Sequence, residues 1–469
     1  MSIKKNIGLV IVSVILLVFS LPSQYQVKFL CFFSIIPVYL IIKKNRNVYK
    51  ISLYGGLWGF FTGLFIYYGA YEEKALIYFF AVFLLTVEFF YFCFFSKRFS
   101  IETGVFFVIT FEFFRNFGPF AFPSNFGISL WNFPVFISMA SIGGIYSITL
   151  LIFVVNYFLY KLIFEKELKY ALYSLILITF FSIPYFFNQS DNNLSLKAGF
   201  IQGNLPEKEF ENTNNDMNRY MWGIFNNINF SKKASEENFD IVIWAETVFK
   251  ENFFYDKQSA LFQKFSEIFN NSSIKAVIGS EYYNIEGKFN SLFLYSNIDF
   301  DRYDKIRLVP LREKKYTSGV SGKTLQTDNY YIVPFICYES IFDYSKKIEK
   351  KNSFGVVSSS DIGYKTLYFN YLHAAYTVFK AVELGRYFVR VSHTGISYIV
   401  SDKGEIFKKA PYGEVGLWGE NIYLKNNRTF YNQYYKIIIS FYFLCFFGSL
   451  LKIGEKIKNK IKFYYSKKK

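Results

Sequence analysis

Long apolar segments recur seven times between Ile7 and Phe187 and once more near the end of the chain, and such segments must be buried in lipid or in one another. They are Ile7 to Leu21, Val27 to Ile42, Leu53 to Ala70, Ala75 to Phe95, Thr103 to Phe117, Val135 to Tyr160, Tyr170 to Phe187 and Ile437 to Leu451. Each approaches the roughly 20 residues that cross a bilayer upright, so about eight membrane helices are expected. Composition agrees, with 52% of the 469 residues hydrophobic and 23% aromatic. Three parts follow: an N-terminal membrane domain over 1–187, a large polar region over 188–433, and a C-terminal membrane helix with a basic tail over 434–469.

Short loops keep their Lys and Arg on one side. Lys4 and Lys5 precede the first segment; Lys43, Lys44, Arg46 and Lys50 follow the second; Lys97 and Arg98 follow the fourth; Lys161, Lys166 and Lys169 follow the sixth. The tail after the eighth segment is rich in lysine. Positive charge marks the cytoplasmic side, so both termini are expected there and the polar region is expected outside. This topology accounts for much of the net charge of +17, and no nucleic-acid-binding module is visible. Met1 to Pro22 resembles a signal peptide, but Ser20 to Ser23 is a poor cleavage site and a second apolar segment follows at once. It is therefore expected to remain as the first helix.

The polar region alternates strand-like and helix-like segments. Strands are expected at Leu196–Gln202, Asp240–Trp244, Ala276–Ser280, Ser291–Tyr295, Tyr303–Leu308, Tyr331–Ile336, Gly355–Ser359, Tyr387–Val391 and Ser397–Val400. Helices fit Asp216–Phe230, Asp256–Phe269 and Leu367–Leu384. That alternation implies a layered α/β domain. Three strand ends carry reactive chemistry. Cys337 follows Tyr331–Ile336, and it alone among the four cysteines lies outside an apolar segment, Cys31, Cys93 and Cys445 lying within them. A free thiol is expected, with Glu339 to Lys347 starting a helix whose dipole would favour the thiolate. Asp240–Trp244 leads into Glu246, and Lys305 lies within an apolar-bounded strand. A carboxylate to take the thiol proton, an ammonium to hold an oxyanion and a thiol to carry an acyl group make up an acyl-transfer site.

Five separated segments resemble, in order, the motifs of the nitrilase superfamily and specifically its membrane branch, the apolipoprotein N-acyltransferases. They are Gln202 to Pro206, Trp244 to Thr247, Lys305 to Pro310, Cys337 to Glu339, and Ala381 to Arg386 with Thr394 to Ser397. The resemblance implies a four-layer αββα sandwich joined to the helices. It implies a multi-pass protein of the bacterial cytoplasmic (inner) membrane, acting on two partners: a phospholipid acyl donor and a diacylated apolipoprotein acceptor. Glu246, Lys305 and Cys337 match the family's triad, and Glu313, Tyr338 and Glu339 match residues beside it. A monomer without cofactor or metal is expected, since no His/Cys cluster has metal-ligand spacing. His373 and His393 are expected to be structural. Departures occur at Leu311 and Arg312, at His393 where the family often has Asn, and between Ser358 and Asp361, where its usual Asn and Trp are missing. A tethered amidase or nitrilase would use the same triad without needing so many helices, and a non-catalytic scaffold need not keep all three residues.

Overall fold

A computed structural model describes residues 1–71, 75–117, 121–122, 124–187, 194–204, 214–250, 252–296, 299–342, 352–361 and 366–466. The first part is helical: α1 (Ile3–Ser20), α2 (Ile36–Lys44), α3 (Val48–Ile66), α4 (Tyr68–Tyr71), α5 (Ala75–Arg98), α6 (Ile101–Phe117), α7 (Pro134–Ile137), α8 (Ala140–Phe164) and α9 (Lys169–Phe187). Among the described residues five helices are long and apolar enough to cross a membrane: α1, α5, α8, α9 and the apolar stretch Phe430–Leu451. The expectation of about eight is thus met by five. Val27 to Ile42 is not one helix, because the chain forms a 3₁₀ turn at Lys28–Phe32 before restarting at α2 with Pro37 in its first turn. Helix α6 is 17 residues long and carries Glu102, Glu112 and Arg115.

Glycine spacing explains the tightest helix pair. Gly55 and Gly59 sit one turn apart on α3, and a Cβ on either would lie 2.3 Å from a backbone oxygen of α5, Phe89 and Leu85 respectively. Only glycine lets the two backbones approach so closely, as in small-residue packing between membrane helices.

The second part holds β1 (Ser195–Gln202), α10 (Asn214–Glu236), β2 (Ile241–Trp244), α11 (Ala260–Asn270), β3 (Lys275–Asn284), β4 (Gly287–Ser296) and β5 (Asp299–Asp304). It continues with β6 (Leu325–Gln326), β7 (Tyr331–Ile336), β8 (Ser353–Ser359), α12 (Leu367–Leu384), β9 (Phe388–Ser392), β10 (Tyr398–Val400), β11 (Ile406–Lys409), β12 (Gly416–Tyr423) and α13 (Phe430–Ser466). Two six-stranded sheets form, ordered β12-β1-β2-β3-β4-β5 and β11-β10-β9-β8-β7-β6. Their inner faces meet through Ile241, Ile243, Ile332, Ile336, Val356 and Val389, all buried. Helices α10 and α11 cover the first sheet and α12 covers the second, giving α, β, β, α layers.

Helix α12 is buried on both sides, which explains its apolar character. One face lies on β9, and the other meets the membrane helices. There the Tyr376 hydroxyl donates to Asn125 Oδ1 at 2.6 Å, and Glu383 Oε1 accepts from Ile145 N at 3.0 Å just past the α8 kink at Gly144. The segment around Asn125 is held from the opposite side by Glu112, which accepts from Phe126 N, Asn125 Nδ2 and Thr149 Oγ1. The α/β region is therefore bolted to the helical bundle by buried polar contacts as well as by packing.

Two expected elements move. The strand expected at Tyr303–Leu308 is instead Asp299–Asp304, paired antiparallel with β4, and Lys305 is the first residue beyond it. The reason is a distant partner: the N–H groups of Ile306 and Arg307 donate to the Glu339 carboxylate rather than to a neighbouring strand. The helix expected from Glu339 to Lys347 is a single 3₁₀ turn at Cys337–Ile341, the stretch 343–347 lying outside the described residues. Strands β6, β11 and β12 carry no clear alternation in the sequence; β12 is recruited by eight paired positions along β1.

Candidate active site

Glu246, Lys305 and Cys337 leave three different strand ends and line one cleft of about 260 Å³, with Asn290, Val309, Glu313 and Ser360 among its walls. Sheet geometry brings them together. Strand β2 and strand β7 each end at the same edge of the stacked sheets, where parallel strands deliver their following residues. Glu246 Oε1 accepts from Lys305 Nζ at 3.0 Å and from Asn290 Nδ2 at 2.7 Å; Oε2 accepts from Ser360 N at 2.8 Å. Glu313 Oε1 takes Lys305 Nζ from the other side at 2.8 Å, and its Oε2 accepts from Val309 N at 2.6 Å. Lys305 is wholly buried between the two carboxylates. Burial works against its charge, but Glu246 and Glu313 outweigh this and hold its pKa well above the ordinary lysine value.

Cys337 occupies a left-handed conformation, φ +49°, directly after β7. A non-glycine residue there is strained, on the order of 1 kcal/mol or more, and such strain gathers where a side chain must be aimed. Its thiol is buried, and burial together with the Glu246 charge pushes its pKa well above the usual cysteine range, with Lys305 opposing. The one-turn helix does not reverse this. The expectation of a dipole-stabilised thiolate is therefore corrected: this thiol stays protonated until a base takes its proton.

Glu339 ties the two reactive segments together. Oε1 accepts from Ile306 N at 2.8 Å, Arg307 N at 3.3 Å and the Tyr303 hydroxyl at 2.8 Å; Oε2 accepts from Ile336 N at 2.8 Å. One buried carboxylate thus binds the residue after Lys305 and the residue before Cys337. Tyr338, which is not among the residues lining the cleft, stacks edge-on with Phe342 at 4.8 Å, and its hydroxyl meets the backbone of Ala121 in the helical part.

Several residues of the site escape sequence reasoning. Asn290 holds Glu246 and Glu313 side by side from the middle of β4. Behind the thiol, Ser359 Oγ bonds Cys337 and donates to Asp361 Oδ1 at 2.8 Å. Asp361 in turn accepts from Arg390 Nη2 at 2.6 Å and meets His373 Nδ1 at 2.8 Å. The available signal is Arg390, a charge inside the apolar strand Phe388–Ser392. Cys337, Asp361 and His373 lie close enough to suggest a metal site, all three being buried. Their donor atoms fit a cation poorly, because Asp361 already carries the Arg390 guanidinium and His373 on its two oxygens. His393 is buried, with Nε2 2.6 Å from the Glu246 carbonyl, and burial lowers its pKa to about 4. Both histidines are buried and hydrogen-bonded.

Comparison with known proteins agrees with this architecture. Residues 13–158 match the apolipoprotein N-acyltransferase N-terminal domain, and residues 221–426 match carbon-nitrogen hydrolase. The chain is 22% identical to apolipoprotein N-acyltransferase 1 of Treponema denticola over 87% of this chain and 88% of that one. It is 23% identical to the apolipoprotein N-acyltransferase of Wigglesworthia glossinidia brevipalpis over 88% and 92%. A carbon-nitrogen hydrolase superfamily protein of Xanthomonas campestris superposes with a TM-score of 0.37 at 14% identity, covering 49% of this chain and 91% of that one. That last likeness is too slight to add weight. With its apolar helices, its paired α/β sheets and both halves matched in order, the chain belongs to the apolipoprotein N-acyltransferase family, the membrane branch of the carbon-nitrogen hydrolases.

Proposed function

We propose that this protein moves an acyl chain from a membrane phospholipid to the free α-amino group of the diacylglyceryl-cysteine at an apolipoprotein's N-terminus. The observation that carries the reading is the meeting of Glu246, Lys305 and Cys337 in one buried cleft attached to apolar helices. Glu246 takes the Cys337 proton, and the sulfur attacks the ester carbonyl. The oxyanion of the tetrahedral intermediate lies against the Lys305 ammonium. Collapse breaks the ester C–O bond, Glu246 returns the proton to the departing lysophospholipid alkoxide, and an acyl thioester remains on Cys337. The incoming amine then attacks that thioester, loses a proton to Glu246 and expels the sulfur, which recovers the proton. Glu313 shares the lysine so that Glu246 is free to act as base. Water is kept from the thioester by the depth of the site.

The catalytic region lies on the outer face of the cytoplasmic membrane with both termini inside, which the basic loops support, and the protein works as a monomer. The aromatics Phe249, Phe253 and Phe254 pack inward against Phe265 and do not form a lipid-facing lid, and 364–365 lie outside the described residues. Exposure of the purified protein to phospholipid should give a mass gain of one acyl chain that hydroxylamine removes and Cys337→Ala lacks. A labile adduct that persists in Cys337→Ala would place the nucleophile elsewhere. For orientation, a cysteine introduced at Asn226 should react with a membrane-impermeant reagent on intact spheroplasts and one at Lys460 should not; the reverse pattern would invert the topology.

A further inference from the structure

The buried network behind Cys337 has a proton inventory that assigns it a task. His373 Nδ1 lies 2.8 Å from Asp361 Oδ1, and Nε2 lies 3.0 Å from the carbonyl oxygen of Cys337 itself. A carboxylate held by a guanidinium and a peptide carbonyl are both acceptors only. Ser340 Oγ, 3.3 Å from Nε2, spends its hydrogen on the same Cys337 carbonyl at 2.9 Å, so it too offers a lone pair to the ring. Arg390 Nη2 also approaches Nδ1, at 3.3 Å, but its closer partner is Asp361 Oδ2 at 2.6 Å. A neutral imidazole would set one lone pair against an acceptor in a buried site, which is costly.

We propose that His373 is a positioning residue for the nucleophile: with a proton on each ring nitrogen, and fixed by Asp361 and Arg390, it grips the Cys337 carbonyl and holds the left-handed turn that aims the thiol into the cleft. The groups facing it come from four elements: Asp361 after β8, Arg390 on β9, Cys337 after β7 and Ser340 in the 3₁₀ turn. The charge has a second effect. The Asp361 charge disfavours the Cys337 thiolate, while the Ser359 hydroxyl favours it, and the imidazolium offsets the Asp361 charge. The His373 ring bonds the Cys337 carbonyl rather than taking the thiol proton, so its influence runs through the placement of Cys337. The inference rests on Cys337 being the acyl-carrying residue.

The chain contains two histidines, which makes the ring directly observable. In ¹⁵N-histidine-labelled protein in lipid bilayers near pH 7.5, one ring should carry protons on both nitrogens and the other, His393, should be neutral; His373→Gln should delete the charged ring's signals. The same variant should slow single-turnover acylation by about tenfold or more, leave the KM for phospholipid within about twofold, and move the pH midpoint of Cys337 alkylation upward. Two neutral rings at pH 7.5 would overturn the proposal even if His373→Gln fails to fold. Wild-type acylation with an unmoved alkylation profile in a folded His373→Gln would overturn it equally. Failure of the acyl-enzyme reading is distinguishable, because it appears as loss of the labile Cys337 adduct in the wild-type protein while the ring measurement stands.

Discussion

Replacing Glu339 by Gln preserves shape and removes the charge that joins the two reactive segments. The carboxylate accepts from three backbone N–H groups and a tyrosine hydroxyl within a fully buried site. In the amide one oxygen becomes an NH₂ donor. If the remaining oxygen stays on Ile306 and Arg307, the Ile336 N–H faces another donor and loses its partner; if it flips, the other two do. A buried donor left without an acceptor costs about 1–3 kcal/mol, and bonds to a neutral oxygen are about half as strong as those to a carboxylate. The total is about 2–4 kcal/mol, divided between global stability and displacement of Lys305 relative to Cys337. Misplacement on the scale of 1 Å can cost on the order of 10²-fold in rate. Single-turnover acylation by Glu339→Gln, with thermal unfolding followed in parallel, should show a lower melting temperature and acylation slowed by about 10-fold to 10²-fold. A variant that melts and acylates like the wild type would refute the coupling, since the hydrogen bonds cannot vanish without effect on either.

Three further outcomes are expected. Glu246→Gln should slow formation of the acyl-enzyme by on the order of 10²-fold or more, whereas Lys305→Met should slow both acylation and transfer from a preformed acyl-enzyme; wild-type rates for Lys305→Met in both half-reactions would remove the lysine from the mechanism. His393, with its pKa lowered by burial to about 4 from an unfolded value of about 6.5, binds fewer protons folded than unfolded, so its contribution is complete above pH 6.5 and lost as pH falls toward 4. The wild type should therefore lose about 3 kcal/mol more than His393→Asn over that window in acid titrations of stability, and parallel curves would contradict this. Gly59→Ala drives a Cβ to 2.3 Å from the Leu85 carbonyl oxygen and should destabilise the bundle by about 1–3 kcal/mol. Gly56→Ala meets its nearest neighbour at 3.6 Å and should melt at or slightly above the wild-type temperature; equal behaviour of the two variants would contradict the close-packing argument.

Hydropathy and strand ends were legible in the sequence because each is a local signal. The apolar segments announce themselves by length, Leu367–Leu384 by its helical spacing, and Glu246 and Cys337 by standing where apolar strands stop, whereas Lys305 read as lying within a strand. What the residues around them do was decided by partners far away in the chain. Strand β5 ends at Asp304 because Glu339 captures the N–H groups of Ile306 and Arg307, and the Cys337 thiol is pushed up rather than down because packing buries it beside Glu246. Asp361, His373 and Arg390 converge only when β8, α12 and β9 stack. Periodicity reports which face a segment buries, not which charge will lie 3 Å from it, and buried electrostatics depends on that distance. The sequence by itself determined an apolar helical part followed by a layered α/β domain, because both are periodic signals; the tertiary structure decided which apolar segments become single long helices, where Lys305 stands and which buried groups surround the Cys337 thiol, because those depend on contacts between distant segments.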